Sequence, residues 1–138
     1  MNTPPRDAQV PVFRIDGSRI NAIADLYAQL NALLMESEDW QLGSSLDALN
    51  DVLYRFTPHA GAAHAATFIW QHHAHSREAL GIAATLQWLD AKLQHPGVFN
   101  AQAITAQRQA LLDGTGTTYF DLVLEVFAGH PQVALELA

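Results

Sequence analysis

Three short apolar runs lie far apart in this chain, and their spacing constrains the fold more than any other feature. Val10 to Ile15 (VPVFRI), Ala66 to Trp70 (ATFIW) and Val133 to Leu137 (VALEL) each read as one β-strand. Long stretches with helical periodicity separate them. Strands spaced in this way cannot pair through tight hairpins, so they favour a parallel sheet joined by right-handed crossovers. The expected class is α/β: a three-stranded parallel sheet with packed helices, in the order β-α-α-β-α-α-α-β.

The helical stretches follow from the spacing of apolar residues. Ile20, Ile23, Leu26, Leu30 and Leu33/Leu34 predict an amphipathic helix over Asn21 to Met35, after a turn at Asp16-Gly17. Ser44 opens a second helix, with Leu46, Leu49, Leu53 and Phe56 on one face and Pro58 as its stop. His75 or Ser76 caps a longer helix carrying Leu80, Ala83, Leu86, Leu89 and Leu93, which Pro96-Gly97 ends. Phe99 to Leu112 and Tyr119 to Phe127 are the last two helices, separated by Gly114 and Gly116. The 138 residues are expected to form a single domain, with residues 1–9, which include Pro4 and Pro5, as a loose tail.

Charge and composition narrow the function. Seven Lys and Arg stand against fourteen Asp and Glu, a formal net charge of -7. Phosphate binding needs basic patches, so nucleic acid is excluded as an expected partner, and a cationic protein is favoured. The chain has no cysteine, which removes disulfides and thiol chemistry. No apolar run approaches the length of a membrane span, and the first residues do not read as a secretory signal. The expectation is a cytoplasmic protein without membrane contact, cofactor or catalytic role.

The most informative segment runs from residue 36 to 56. It holds Glu36, Glu38, Asp39, Asp47 and Asp51, with a lone Trp40 in the loop before the second helix. With the apolar residues on one side, Asp47, Asn50, Asp51 and Tyr54 fall on the other. Carboxylates at i and i+4 lie one turn apart and repel mildly, by a few tenths of a kcal/mol. Position in the first turn offsets this for Asp47, since the helix dipole favours a negative charge there. A bland account exists for both: Ser44-x-x-Asp47 has the spacing of a capping box, and Asp51 could pair with Arg55. The functional account is an acidic face able to meet a basic cleft where substrate phosphates would lie.

The rival signal is histidine. His72, His73 and His75, with His64 nearby, could hold zinc or copper, which keeps a His-dependent metal enzyme open as an alternative. Adjacent side chains at a strand end diverge, however, and no HExxH spacing is present. The Gly114-Thr115-Gly116-Thr117-Thr118 run lacks the lysine and preceding strand of a phosphate loop.

The segment Gly43-Ser44-Ser45-Leu46-Asp47-Ala48-Leu49-Asn50-Asp51-Val52-Leu53 resembles the signature of the barstar family. Phe13 to Gly17, Ile23 to Leu26, Phe68 to Trp70 with His75-Ser76-Arg77, and Leu124 to Phe127 with the terminal strand are similar to it in order and spacing. The resemblance covers Val12 to about Leu80 and Tyr119 to Leu137, leaving residues 81–118 as a helical insertion. It implies a three-stranded parallel sheet and inhibition of a basic, barnase-like secreted ribonuclease by a helix and the loop before it. Asp47 and Asp51 match the family's two helix carboxylates, with Asp51 set deepest, and Gly43 matches the loop glycine. Trp40, Asn50 and Tyr54 complete the expected contact set.

The chain also departs from the family. Asn50 stands where the family's type protein has an aromatic, and Gln41-Leu42 where it has adjacent tyrosines. Ala128-Gly129-His130 holds no carboxylate where a later acidic contact would fall. A barstar-fold interaction protein with a partner other than a nuclease therefore stays open beside the inhibitor reading.

Overall fold

The computed structural model describes residues 10–35, 42–95 and 97–138. The tail at 1–9 and Trp40 lie outside the described residues. Strands β1 (Val12–Asp16), β2 (Ala66–Gln71) and β3 (Val133–Leu137) form one parallel sheet in the order β1-β2-β3. Among the described residues six α-helices accompany them: α1 (Ile23–Leu34), α2 (Leu46–Leu53), α3 (His73–Ala79), α4 (Ile82–Leu93), α5 (Ala101–Leu112) and α6 (Tyr119–Ala128). The α/β class and the parallel sheet expected from the strand spacing are thus present.

Strand register sorts the side chains. Phe13, Phe68 and Leu135 lie side by side across the sheet, as do Ile15, Trp70 and Leu137. A strand alternates its side chains between faces, so these residues share one side. Ile15, Phe68 and Trp70 on it are buried completely. The Phe68 ring meets Phe13 at 5.0 Å, Phe127 at 5.2 Å and Phe56 at 6.1 Å. These contacts seat the chain after α2, and the end of α6, on the sheet. Aromatic pairs of this kind add about 0.5–1.5 kcal/mol each beyond their area burial.

The turn after β1 is tight for a specific reason. A Cβ on Gly17 would lie 2.4 Å from Gln71 O and 2.6 Å from Ser76 Oγ. Buried Ser76 donates from Oγ to Gly17 O at 3.1 Å and accepts from Trp70 Nε1 at 2.9 Å. One hydroxyl thereby satisfies two buried groups, which would otherwise cost about 1–3 kcal/mol each.

Two features differ from the sequence expectation. Helix α3 begins at His73 rather than at a cap on His75 or Ser76, because His72 takes a left-handed conformation (φ 52°) and turns the chain out of β2. The single long helix expected after it is two helices, α3 and α4, divided at Leu80–Gly81. Tertiary bonds hold the break. Leu80 O accepts from Phe120 N at 3.1 Å, while Thr85 Oγ1 donates to Gly81 O and accepts from Tyr119 N, both at 2.7 Å.

Helices α4 and α5 make a small core of their own from Leu89, Ile104 and Leu111. An ion pair at 2.9 Å between Arg108 and Asp90 spans them. Trp88 joins this cluster to the main core, meeting Tyr119 edge-on at 4.9 Å. Within the main core Tyr27 and Tyr119 share a hydrogen bond of 2.6 Å between their hydroxyls.

Candidate partner-binding face

Helix α2 buries Leu49, Val52 and Leu53, and half-buries Leu46. That choice of inner face leaves Asp47, Asp51 and Tyr54 on the outer one, all three exposed. Among the described residues neither carboxylate joins an ion pair, so the Asp51–Arg55 pairing does not occur. The capping box at Ser44 is also absent. Ser45 is the cap: its backbone is extended and its Oγ accepts from Ala48 N at 3.0 Å. Asp47 therefore occupies the second helical position, where the dipole still favours its charge.

The loop before α2 is anchored from α1. Asn31 Nδ2 donates to Leu42 O at 3.0 Å, and Leu42 N–H donates back to Asn31 Oδ1. With Leu42 held and buried, Gly43 stands at the surface, and a Cβ built on it would meet nothing within 4 Å. Among the described residues no contact thus demands a glycine there.

Asn50 is not a free surface side chain. His130 Nε2 lies 2.7 Å from Asn50 Oδ1; with that oxygen as acceptor, the ring nitrogen is the donor. The imidazole is only 2% exposed, and its ring meets Tyr54 edge-on at 4.5 Å. Gln132 Nε2 lies 3.5 Å from His130 Nδ1 and donates to Leu53 O at 3.2 Å. Sequence periodicity placed Asn50 outward; the structure makes it one unit with His130 under Tyr54.

A groove of about 410 Å³ opens beside the first turn of α2. Leu46 and Asp47 line one side, and Trp88, Ala91, Lys92 and Phe99 the other. Lys92 Nζ sits 3.8 Å from the centre of the Trp88 ring and 5.3 Å from that of Phe99. Burial holds its ammonium below the usual lysine range, against the opposing pull of Asp47.

The histidines are dispersed in their roles. His73 Nδ1 contacts Ala138 O at 2.9 Å, and His75 Nε2 contacts Asn21 Oδ1 at 2.8 Å. Among the described residues no three side chains able to hold a metal come together. No helix among them is long and apolar enough to cross a membrane.

The family model for barstar, the barnase inhibitor, matches residues 10–109. The chain belongs to the barstar family. The match takes in β1 through most of α5, so it includes the acidic helix, the anchored loop before it, and α4. No curated protein compared with the chain matches it. The family is one of inhibitors rather than enzymes. What periodicity missed, His130 and the Trp88–Lys92 groove, comes from distant sequence folded against α2.

Proposed function

We propose that this protein binds a basic, barnase-like ribonuclease through α2 and the loop before it, and blocks the nuclease's active site. The observation that carries this reading is the exposed Asp47–Asp51 pair, unengaged by any ion pair among the described residues, on a helix whose other face is buried. The two carboxylates take the places of substrate phosphates among the nuclease's cations, with Asp51 set deepest. Tyr54 lies against the partner beside them, supported by His130. At exposed Gly43 the missing side chain lets the partner's backbone come close. Trp40, outside the described residues, belongs to the same proposed contact set. The net charge of -7 adds long-range attraction to a cationic protein, which speeds encounter and weakens with salt.

The test is calorimetric titration against a purified barnase-like ribonuclease at low and moderate salt, beside Asp51→Ala. Tight binding that weakens with salt and falls by more than ~30-fold in the variant is the expected result, since a desolvated charge pair contributes over about 2 kcal/mol. Absence of binding at low salt would refute the nuclease and turn the search to other cationic proteins.

A further inference from the structure

We infer that the groove between the first turn of α2 and helix α4 is a second contact for the same partner, and that it receives an aromatic or branched aliphatic side chain presented beside the nuclease's basic cleft. This inference rests on the nuclease-inhibitor reading and names a further requirement on the partner.

Position is the first argument. Asp47 belongs both to the acidic face and to the groove wall, so a protein that reaches Asp47 also covers the groove mouth. Chemistry is the second. Interfaces draw most of their energy from a few apolar or aromatic anchors shielded from water. On α2 and its C-cap the exposed outer side chains Asp47, Asp51 and Tyr54 include one aromatic, Tyr54, which is 68% exposed. The groove supplies what that face lacks: Leu46, Trp88, Ala91 and Phe99 form apolar walls around about 410 Å³. Phe99 in this lining is 39% exposed, an apolar ring left in water.

Charge decides the kind of occupant. Lys92 Nζ lies over the Trp88 ring at 3.8 Å, placing a positive charge inside the groove. Asp47 on the facing wall offsets that charge, so a partner's Lys or Arg gains nothing by entering and is drawn instead to the exposed carboxylate of Asp51 outside. An uncharged apolar side chain gains the ring faces. Ring faces in the groove and carboxylates on the helix together fix the orientation in which a basic protein can dock.

Ala91→Trp fills the groove from an exposed position on α4, and Phe99→Ala removes one wall at a partly exposed site, so both variants are expected to fold. Each is titrated against the purified barnase-like ribonuclease at several salt concentrations, beside Asp51→Ala. The inference expects both groove variants to bind ~10-fold or more weakly than wild type with an unchanged salt slope, while Asp51→Ala loses affinity and flattens the slope. Wild-type affinity in both groove variants, with Asp51→Ala weakened, would overturn the groove contact and leave the acidic-face reading standing. A wild-type chain that binds no ribonuclease would overturn both. Sedimentation showing a wild-type dimer that Ala91→Trp disrupts would assign the groove to a second copy of this chain instead.

Discussion

Replacing His130 by alanine tests how the acidic face is held. The substitution removes the 2.7 Å hydrogen bond to Asn50 and the edge-on contact with Tyr54 at 4.5 Å. It also empties a site that is 98% shielded, given the ring's 2% exposure. A hydrogen bond of this kind contributes about 1 kcal/mol and an aromatic edge contact about 0.5–1.5 kcal/mol. With the vacated volume the expected loss is about 2–4 kcal/mol. In urea unfolding that lowers the midpoint by roughly 1–2 M with an unchanged slope. His130→Gln keeps an N–H donor within reach of Asn50 and should recover part of the loss. Asn50→Ala alone should cost less, since Asn50 is half-buried and water can serve His130 in part. The Asn50/His130 double variant should then show coupling of about 1 kcal/mol. A loss below about 1 kcal/mol for His130→Ala, or additive single effects in the cycle, would refute the claim that His130 supports this face.

Three further outcomes follow from the same structure. Tyr27→Phe leaves Tyr119 Oη buried without its 2.6 Å partner, so thermal or urea melts should show a loss of about 1–3 kcal/mol, while the Tyr27→Phe/Tyr119→Phe pair costs less than the sum of the two singles. Burial, first, holds both hydroxyls above the usual tyrosine range; the shared bond raises Tyr27 further and pulls Tyr119 back down. The folded chain therefore keeps these protons more tightly than the unfolded one. Their contribution is intact below pH ~10 and is lost as pH rises beyond it, by up to ~1.4 kcal/mol per pH unit per tyrosine, and the double Phe variant should flatten that alkaline decline. Gly17→Ala should cost about 3 kcal/mol or more, because the added methyl meets backbone oxygens at 2.4 and 2.6 Å that cannot move aside; Gly43→Ala, with open space around it, should leave the melting curve unchanged.

The strands were legible because each is a single apolar run with nothing nearby to pair with, which leaves a parallel sheet as the solution. Asp47 and Asp51 were legible for a related reason. The spacing of Leu46, Leu49 and Leu53 fixes the inner face of the helix and so the outer one. The break at Leu80–Gly81 was hidden, since the acceptor that ends α3 is satisfied by Phe120, a partner forty residues along the chain. Asn50 and His130 stand eighty positions apart, so no local period connects them. Lys92 and Trp88 line a groove shared with the first turn of α2, across a sequence separation that no local period spans. His72 is a further case, a non-glycine residue at positive φ that the run of histidines concealed.

Helix α2 has only eight residues, too few to be stable alone, and its outer face carries two like charges one turn apart. Its persistence has to come from outside. At the N-terminal end, Ser45 caps it and Asn31 clamps the Leu42 backbone before it. At the C-terminal end, His130 holds Asn50 while Gln132 holds the carbonyl of Leu53. Between them Leu49, Val52 and Leu53 are buried in the core. Both ends and one face are therefore fixed before any partner arrives. Ordering a flexible segment on binding subtracts about 0.5–1.5 kcal/mol for each immobilised side chain, and a helix already in place avoids much of that loss. The small internal repulsion between Asp47 and Asp51 works in the same direction. A basic partner that neutralises both carboxylates relieves it, so folding bears the unfavourable charge pair and binding gains from its removal.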